Sequence, residues 1–175
     1  MSMSDLTLLD KYATSGVFAP GYPTDDRTFF SPVDDVHGAL MDLLSSASES
    51  LIIAMYGFDD DSLNSVIESK LANPSVMVQL TLDSSQASGT HEKALLATAN
   101  YPASSIAVGR SEKGAIMHLK VIIIDGMDLV TGSTNLSTGG ESLQDNELTV
   151  RRNPFIAARY RARVDMIHNH MLTRK

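Results

Sequence analysis

Two rhythms of apolar and polar positions alternate along this chain, and the switches between them mark its elements. Leu51 to Tyr56 is a nearly continuous apolar run, the pattern of a strand covered by helices on both faces. Val76–Leu82 reads as another strand and Ile106–Val108 as a short one. Between them the spacing becomes helical. Val33, Val36, Leu40, Leu43 and Leu44 predict a helix over Pro32–Ser48, with Ser31 as its N-cap and Pro32 in its first turn. Leu63, Val66, Ile67 and Leu71 predict a second over Ser62–Leu71, and a third is expected at His91–Ala99. Thr28–Phe30 is a candidate first strand, ended by Ser31-Pro32.

The second half continues in the same way. Met117–Ile124 predicts a strand rich in β-branched residues, Asp125-Gly126 a turn, and Leu129–Thr131 a short partner strand. Residues 136–140 read as a loop and Glu147–Val150 as a last strand, with Leu148 and Val150 on one face. Asn153 caps and Pro154 starts a final helix, whose apolar stripe is Ile156, Tyr160, Val164, Ile167 and Met171. Strands alternating with helices predict an α/β fold, a mixed β-sheet sandwiched between helices. No internal repeat is visible. Residues 1–27 are broken by Gly16, Pro20, Gly21 and Pro23, and only Leu6, Leu8, Leu9 and Tyr12 suggest a short helix.

Composition changes this picture only at the edges. With 43% hydrophobic and 20% charged residues, the 175-residue chain fits one globular domain rather than a disordered segment. It has no cysteine, which excludes disulfides and thiolate metal sites. No apolar run approaches the roughly 18 residues of a membrane-spanning helix, and Asp5 and Asp10 are foreign to a secretory signal, so a cytoplasmic protein with no stable membrane association is expected. The net charge of -7 is unevenly spread: residues 151–175 carry +6 and the remainder -13. That basic segment reads either as a polyanion footprint, with Arg151 and Arg152 as candidate nucleic-acid contacts, or as a solvated helix face.

Candidate chemistry gathers between Ile116 and Asn135. On a strand His118 and Lys120 share a face, which suits an anionic substrate: the Lys neutralises charge while the His attacks or donates a proton. Ser133 and Asn135 can add hydrogen bonds where charge develops. No second His stands at ligand spacing from His118, so no metal site is expected there. His37, His91, His168 and His170 read as surface or cap residues. His-X-Lys alone is common, but the longer pattern is not.

His118-X-Lys120, four residues, Asp125, six residues, then Gly132-Ser133-X-Asn135 resembles the full HKD signature of the phospholipase D superfamily. Phe30-Ser31-Pro32, Ser50–Asp59 and Asn146-Glu147-Leu148 are similar to the family's flanking segments, so the resemblance covers roughly 28–171. It implies a phospholipase D-like catalytic domain over 28–175, with 1–27 as an N-terminal extension. It also implies hydrolysis or transfer of phosphodiesters through a covalent phosphohistidine, with no metal and no other cofactor. His118 would attack phosphorus, Lys120 and Asn135 would hold phosphate oxygens, Ser133 would support them, and Glu147 would orient the His118 ring. Asp125 belongs to the motif and is expected to be structural. The family builds one site from two motifs, whereas this chain supplies one, which implies a homodimer. Short single-motif members include small dimeric nucleases, so cleavage of DNA or RNA with low sequence specificity is the leading expectation. Lipid phosphodiester chemistry is the second, and a catalytically silent nucleic-acid binder the third. Where the family often has Tyr-X-Phe-Thr, this chain reads Tyr56-Gly57-Phe58-Asp59, followed by Asp60 and Asp61.

Overall fold

The computed structural model describes residues 5–86, 93, 97 and 102–174. The helix expected at 91–99 lies outside them, apart from positions 93 and 97. One seven-stranded sheet forms the middle layer. In chain order its strands are β1 (Asp26–Ser31), β2 (Ser50–Met55), β3 (Met77–Asp83), β4 (Ile106–Gly109), β5 (Lys120–Ile124), β6 (Asp128–Gly132) and β7 (Asn146–Arg152). They lie in the order β1-β7-β6-β5-β2-β3-β4. The β2-β3-β4 side is parallel and every other pairing is antiparallel, so the sheet is mixed.

Both sheet faces are covered. Leu51, Ile53, Ile122 and Ile124 pack beneath α1 (Val36–Ser46) and α2 (Asp61–Leu71). Ile52, Ala54, Val121 and Ile123 pack beneath the last helix, α4 (Pro154–Thr173), through Ala157, Val164, Ile167 and Met171. Burial on both faces explains why β2 and β5 are unbroken apolar runs. Each buried Leu, Ile, Val or Met among them contributes about 1.5–3 kcal/mol on leaving water. Asn153 caps α4 by accepting from the amides of Phe155 and Ile156, with Pro154 in the first turn.

Several elements depart from the expected boundaries. The first helix begins at Val36, four residues late, because the residues before it are engaged elsewhere. Asp34 accepts from the Phe30 amide (2.8 Å) and the Thr14 amide (2.8 Å), while Asp35 takes the N-cap position and accepts from Gly38. Ser31 is the last residue of β1 and is no cap; its hydroxyl proton is shared between the carbonyls of Gly140 (3.0 Å) and Gln144 (2.8 Å). The stretch 136–140 is not simply a loop, since Thr138–Ser142 forms a short helix, α3, capped by Ser137. Near the N-terminus a 3-10 helix, Leu6–Tyr12, buries Leu6 and Leu9 in the same core as Phe29 and Leu40. That part of the expected extension therefore packs on the sheet layer.

Candidate active site

The ends of β2, β5, β6 and β7 that carry the site all lie at one end of the sheet. Met55 pairs with Lys120, Gly132 with Leu148, and Ser31 with Asn146. Because β2 and β3 are parallel, this is also their carboxyl end, where open α/β sheets commonly bind ligands.

Strand β5 starts at Lys120, not at Met117. The Met117 amide donates to the buried carboxylate of Asp83 (2.5 Å), so the approach to His118 is tied to the end of β3 instead of to a neighbouring strand. His118 therefore stands on an extended approach, exposed, just outside the ladder. It still meets its expected companion: Lys120 Nζ lies 2.9 Å from His118 Nε2. A charged lysine only donates, so Nε2 is the acceptor and the neutral ring carries its proton on Nδ1. Tyr56 backs both residues. Its ring meets the imidazole edge-on at 4.7 Å, and Lys120 Nζ sits 5.0 Å from the same ring. Lys120 is only 8% exposed, and burial pulls its pKa below the usual lysine range.

Asn135 reaches the site from the segment that follows β6. Its Oδ1 accepts from the Gly57 amide (3.1 Å), and its amide nitrogen makes no hydrogen bond among the described residues. A Cβ on Gly57 would stand 3.1 Å from Asn135 Cγ, so glycine permits this close approach. Tyr56-Gly57 thus holds both halves of the motif, the aromatic ring on His118 and the bare backbone on Asn135. Ser133 Oγ donates to Asn146 Oδ1 (2.8 Å) and accepts from the Glu147 amide (3.0 Å). Gly132 before it has φ +151°, and an added Cβ would lie 2.1 Å from the Glu147 carbonyl oxygen.

Four expected site residues are not brought to His118. Glu147 accepts from the Thr149 hydroxyl (2.6 Å), and among the described residues no carboxylate hydrogen-bonds to the His118 ring. Asp125 sits at the far end of β5, in the turn to β6, with φ +50°. It accepts from the amides of Ser48 (3.1 Å), Glu49 (2.8 Å) and Ser50 (2.8 Å) and from the Ser48 hydroxyl (2.8 Å). Burial opposes its charge, but these bonds outweigh it and hold the pKa below the usual carboxylate range. Arg151 and Arg152 end β7, roughly 20 Å along the strand from Asn146. They form ion pairs with Asp26 (3.0 Å) and Asp128 (2.7 Å) respectively.

Sequence reasoning also missed partners. Asp83, Tyr56, Gly57 and Asn146 support the site without belonging to the motif; the last three lie in segments that resemble the family's flanks, and Asp83 is signalled only by its place at a strand end. His37 and His168 are not bland surface residues. His168 is buried between Thr81 Oγ1 (2.9 Å) and the Ser104 carbonyl (2.7 Å). His37 binds Glu141 Oε2 (2.6 Å), whose carboxyl is pushed up to about 7 by burial, against the pull of His37 and with help from Asp60.

A family profile described as "Cardiolipin synthase, PLD-like domain" matches residues 40–167. The chain belongs to the phospholipase D-like family. A curated relative of this phospholipase D-like chain, the mitochondrial cardiolipin hydrolase of Chlamydomonas reinhardtii, is 28% identical over 127 residues, 73% of this chain. The match spans about half of that relative's length, 55%. Two solved structures share the fold. Nuc from Salmonella typhimurium, a phospholipase D family member, superposes with a TM-score of 0.68 at 24% identity, over 82% of this chain and 93% of its own. NucT from Helicobacter pylori gives a TM-score of 0.70 at 23% identity, over 81% and 94%. The mixed sheet flanked by helices is thus the phospholipase D-like fold.

Proposed function

We propose that this phospholipase D-family domain is a metal-independent phosphodiesterase, acting as a homodimer and cleaving DNA or RNA with low sequence specificity. The observation that carries the reading is the His118–Lys120 contact at 2.9 Å, which aims the Nε2 lone pair at a buried cation. Lys120 and the Asn135 amide hold the non-bridging oxygens of a phosphodiester. His118 Nε2 attacks phosphorus, forming the P–N bond as the P–O bond to the leaving group breaks. The leaving oxygen takes its proton from His118 of the partner subunit. Water then attacks phosphorus, gives its proton to that second imidazole, and breaks the P–N bond, releasing the phosphomonoester. With one motif per chain, a twofold interface through the site end of the sheet supplies the second histidine. Backbone recognition without base reading follows from the scarcity of aromatics, 6% of the chain.

One observation favours a second reading, phosphodiester cleavage in lipid. Leu119, between the two motif residues, lines a groove with Tyr160, Val164, Met166, Arg159 and Arg163, of about 700 Å³. An acyl chain fits such a lining, and the matched relative is a cardiolipin hydrolase by name. Incubating the full chain with plasmid DNA, single-stranded DNA, RNA and cardiolipin vesicles separates the two. Nicked plasmid or cut strands with intact vesicles supports the nuclease; phosphatidic acid release with intact nucleic acid overturns it.

A further inference from the structure

Beside the His118 site, three elements meet at a second cluster of side chains. His37 stands in the first turn of α1, Asp60 caps α2, and Glu141 lies in α3. One donor atom from each, an imidazole nitrogen and two carboxylate oxygens, all lie within 4.8 Å of one another. His37 Nδ1 is 2.6 Å from Glu141 Oε2 and 3.7 Å from Asp60 Oδ2. The Glu141 side chain is fully buried, and its other oxygen, Oε1, has no hydrogen-bond partner among the described residues.

Internal pairing does not satisfy this cluster. Two carboxyl groups share one imidazole, so whenever both are ionised even a charged His37 leaves an excess negative charge beside a buried, unpartnered oxygen. Such a group is costly unless something positive joins it. A divalent cation removes both defects. It cancels the two carboxylate charges, replaces the proton between His37 and Glu141, and gives the carboxylate of Glu141 a ligand. Donors bound to zinc at about 2.0–2.2 Å stand close to the spacing seen here after small side-chain rotations. His37 is 35% exposed, which leaves an open side for water ligands and for entry.

We infer that His37, Asp60 and Glu141 form a binding site for a first-row divalent cation of the Zn²⁺ or Mn²⁺ class, with water completing its coordination. Its place in the fold gives it a structural role. The amides of Asp59 (2.8 Å) and Asp60 (3.3 Å) both donate to the carbonyl of Leu136, the residue after Asn135. The Asp60 carboxylate also accepts from the Leu63 amide (2.9 Å). A cation held here ties α1 to the loop that presents Asn135, without touching the reacting phosphate. The inference does not rest on which phosphodiester is cleaved.

The test is calorimetric titration of Zn²⁺ and, separately, Mn²⁺ into the full chain after removal of metals by dialysis. One ion per chain is expected for at least one of the two, together with a rise in Tm. Glu141→Gln and His37→Ala are each expected to weaken binding by about tenfold or more. His118→Ala, which removes the exposed active-site imidazole, is expected to bind as the parent does. Asp60→Asn keeps the capping oxygen and so gives a folded variant if the others are unstable; it too must weaken binding. No saturable binding of either ion overturns the inference, as does binding that survives Glu141→Gln and His37→Ala or disappears in His118→Ala.

Discussion

Lys120 Nζ sits 2.9 Å from His118 Nε2 and 3.2 Å from the His118 carbonyl, so one buried cation fixes both the ring and its backbone. Burial already disfavours the lysine's charge. Lys120→Met is therefore expected to lower kcat by about a hundredfold or more, since the phosphate loses its fixed cation. The sign for stability is opposite. A lysine whose folded pKa is depressed costs stability while charged, a cost that fades only as the pH rises through the folded pKa towards the unfolded value. Lys120→Met should thus show an equal or higher Tm than the parent at neutral pH, measured by thermal denaturation beside steady-state kinetics. A variant that is both inactive and unfolded would show that Lys120 serves the fold instead.

The pH profile of the parent should follow the same group. Activity is expected to fall on the alkaline side with an apparent pKa below lysine's ordinary 10.5. Lys120→Arg should move that alkaline limb upward, because guanidinium keeps its charge. A limb that stays in place would assign it to another residue.

Gly57 is where the two halves of the motif share a backbone. In Gly57→Ala the new Cβ would press on Asn135 Cγ from 3.1 Å and on Oδ1 from 3.3 Å. A displacement of the amide by even a fraction of an ångström should reduce kcat by about ten- to a hundredfold, with little change in Tm. Wild-type kinetics for this variant would remove Asn135 from the site.

Asp125 belongs to the motif but acts at the opposite end of β5. Its four donors make Asp125→Asn expected to cost about 1–3 kcal/mol at neutral pH, read from urea midpoints. Its folded pKa is depressed, so the contribution is full above the unfolded value of about 4 and is lost as the pH falls through the folded one. The gap between parent and variant should therefore close on acidification below about pH 4. A gap independent of pH would mean that the charge is not what those amides hold.

Much of this architecture is legible in the chain because its signals are local. The Asn153-Pro154 cap, the apolar runs of β2 and β5, and Asp125-Gly126, both at positive φ in the hairpin turn, depend on neighbours close in sequence. Apart from the short helix α3, the misreadings involve partners far along the chain. Asp34 is drawn from helix to turn by Thr14, and the Met117 amide is taken by Asp83. Glu147 and Leu148 alternate across β7. Leu148 lines a small cavity with Lys120 and Thr134, and Glu147 projects from the other face, bonded to Thr149. The spacing in the motif says which residues belong together, but not which face of β7 they see. The His37–Asp60–Glu141 cluster leaves no mark in the sequence, since its members lie on three separate elements.

The most direct measurement of the central proposal is a covalent one. The full chain is mixed with a short phosphodiester substrate, quenched in alkaline denaturant to preserve the P–N bond, and mapped by peptide mass spectrometry. The expected result is a phosphoryl adduct on the peptide containing His118, absent from His118→Ala, which should also lack turnover. Cleavage at the parent rate by His118→Ala, or an adduct on any other residue, would contradict the account.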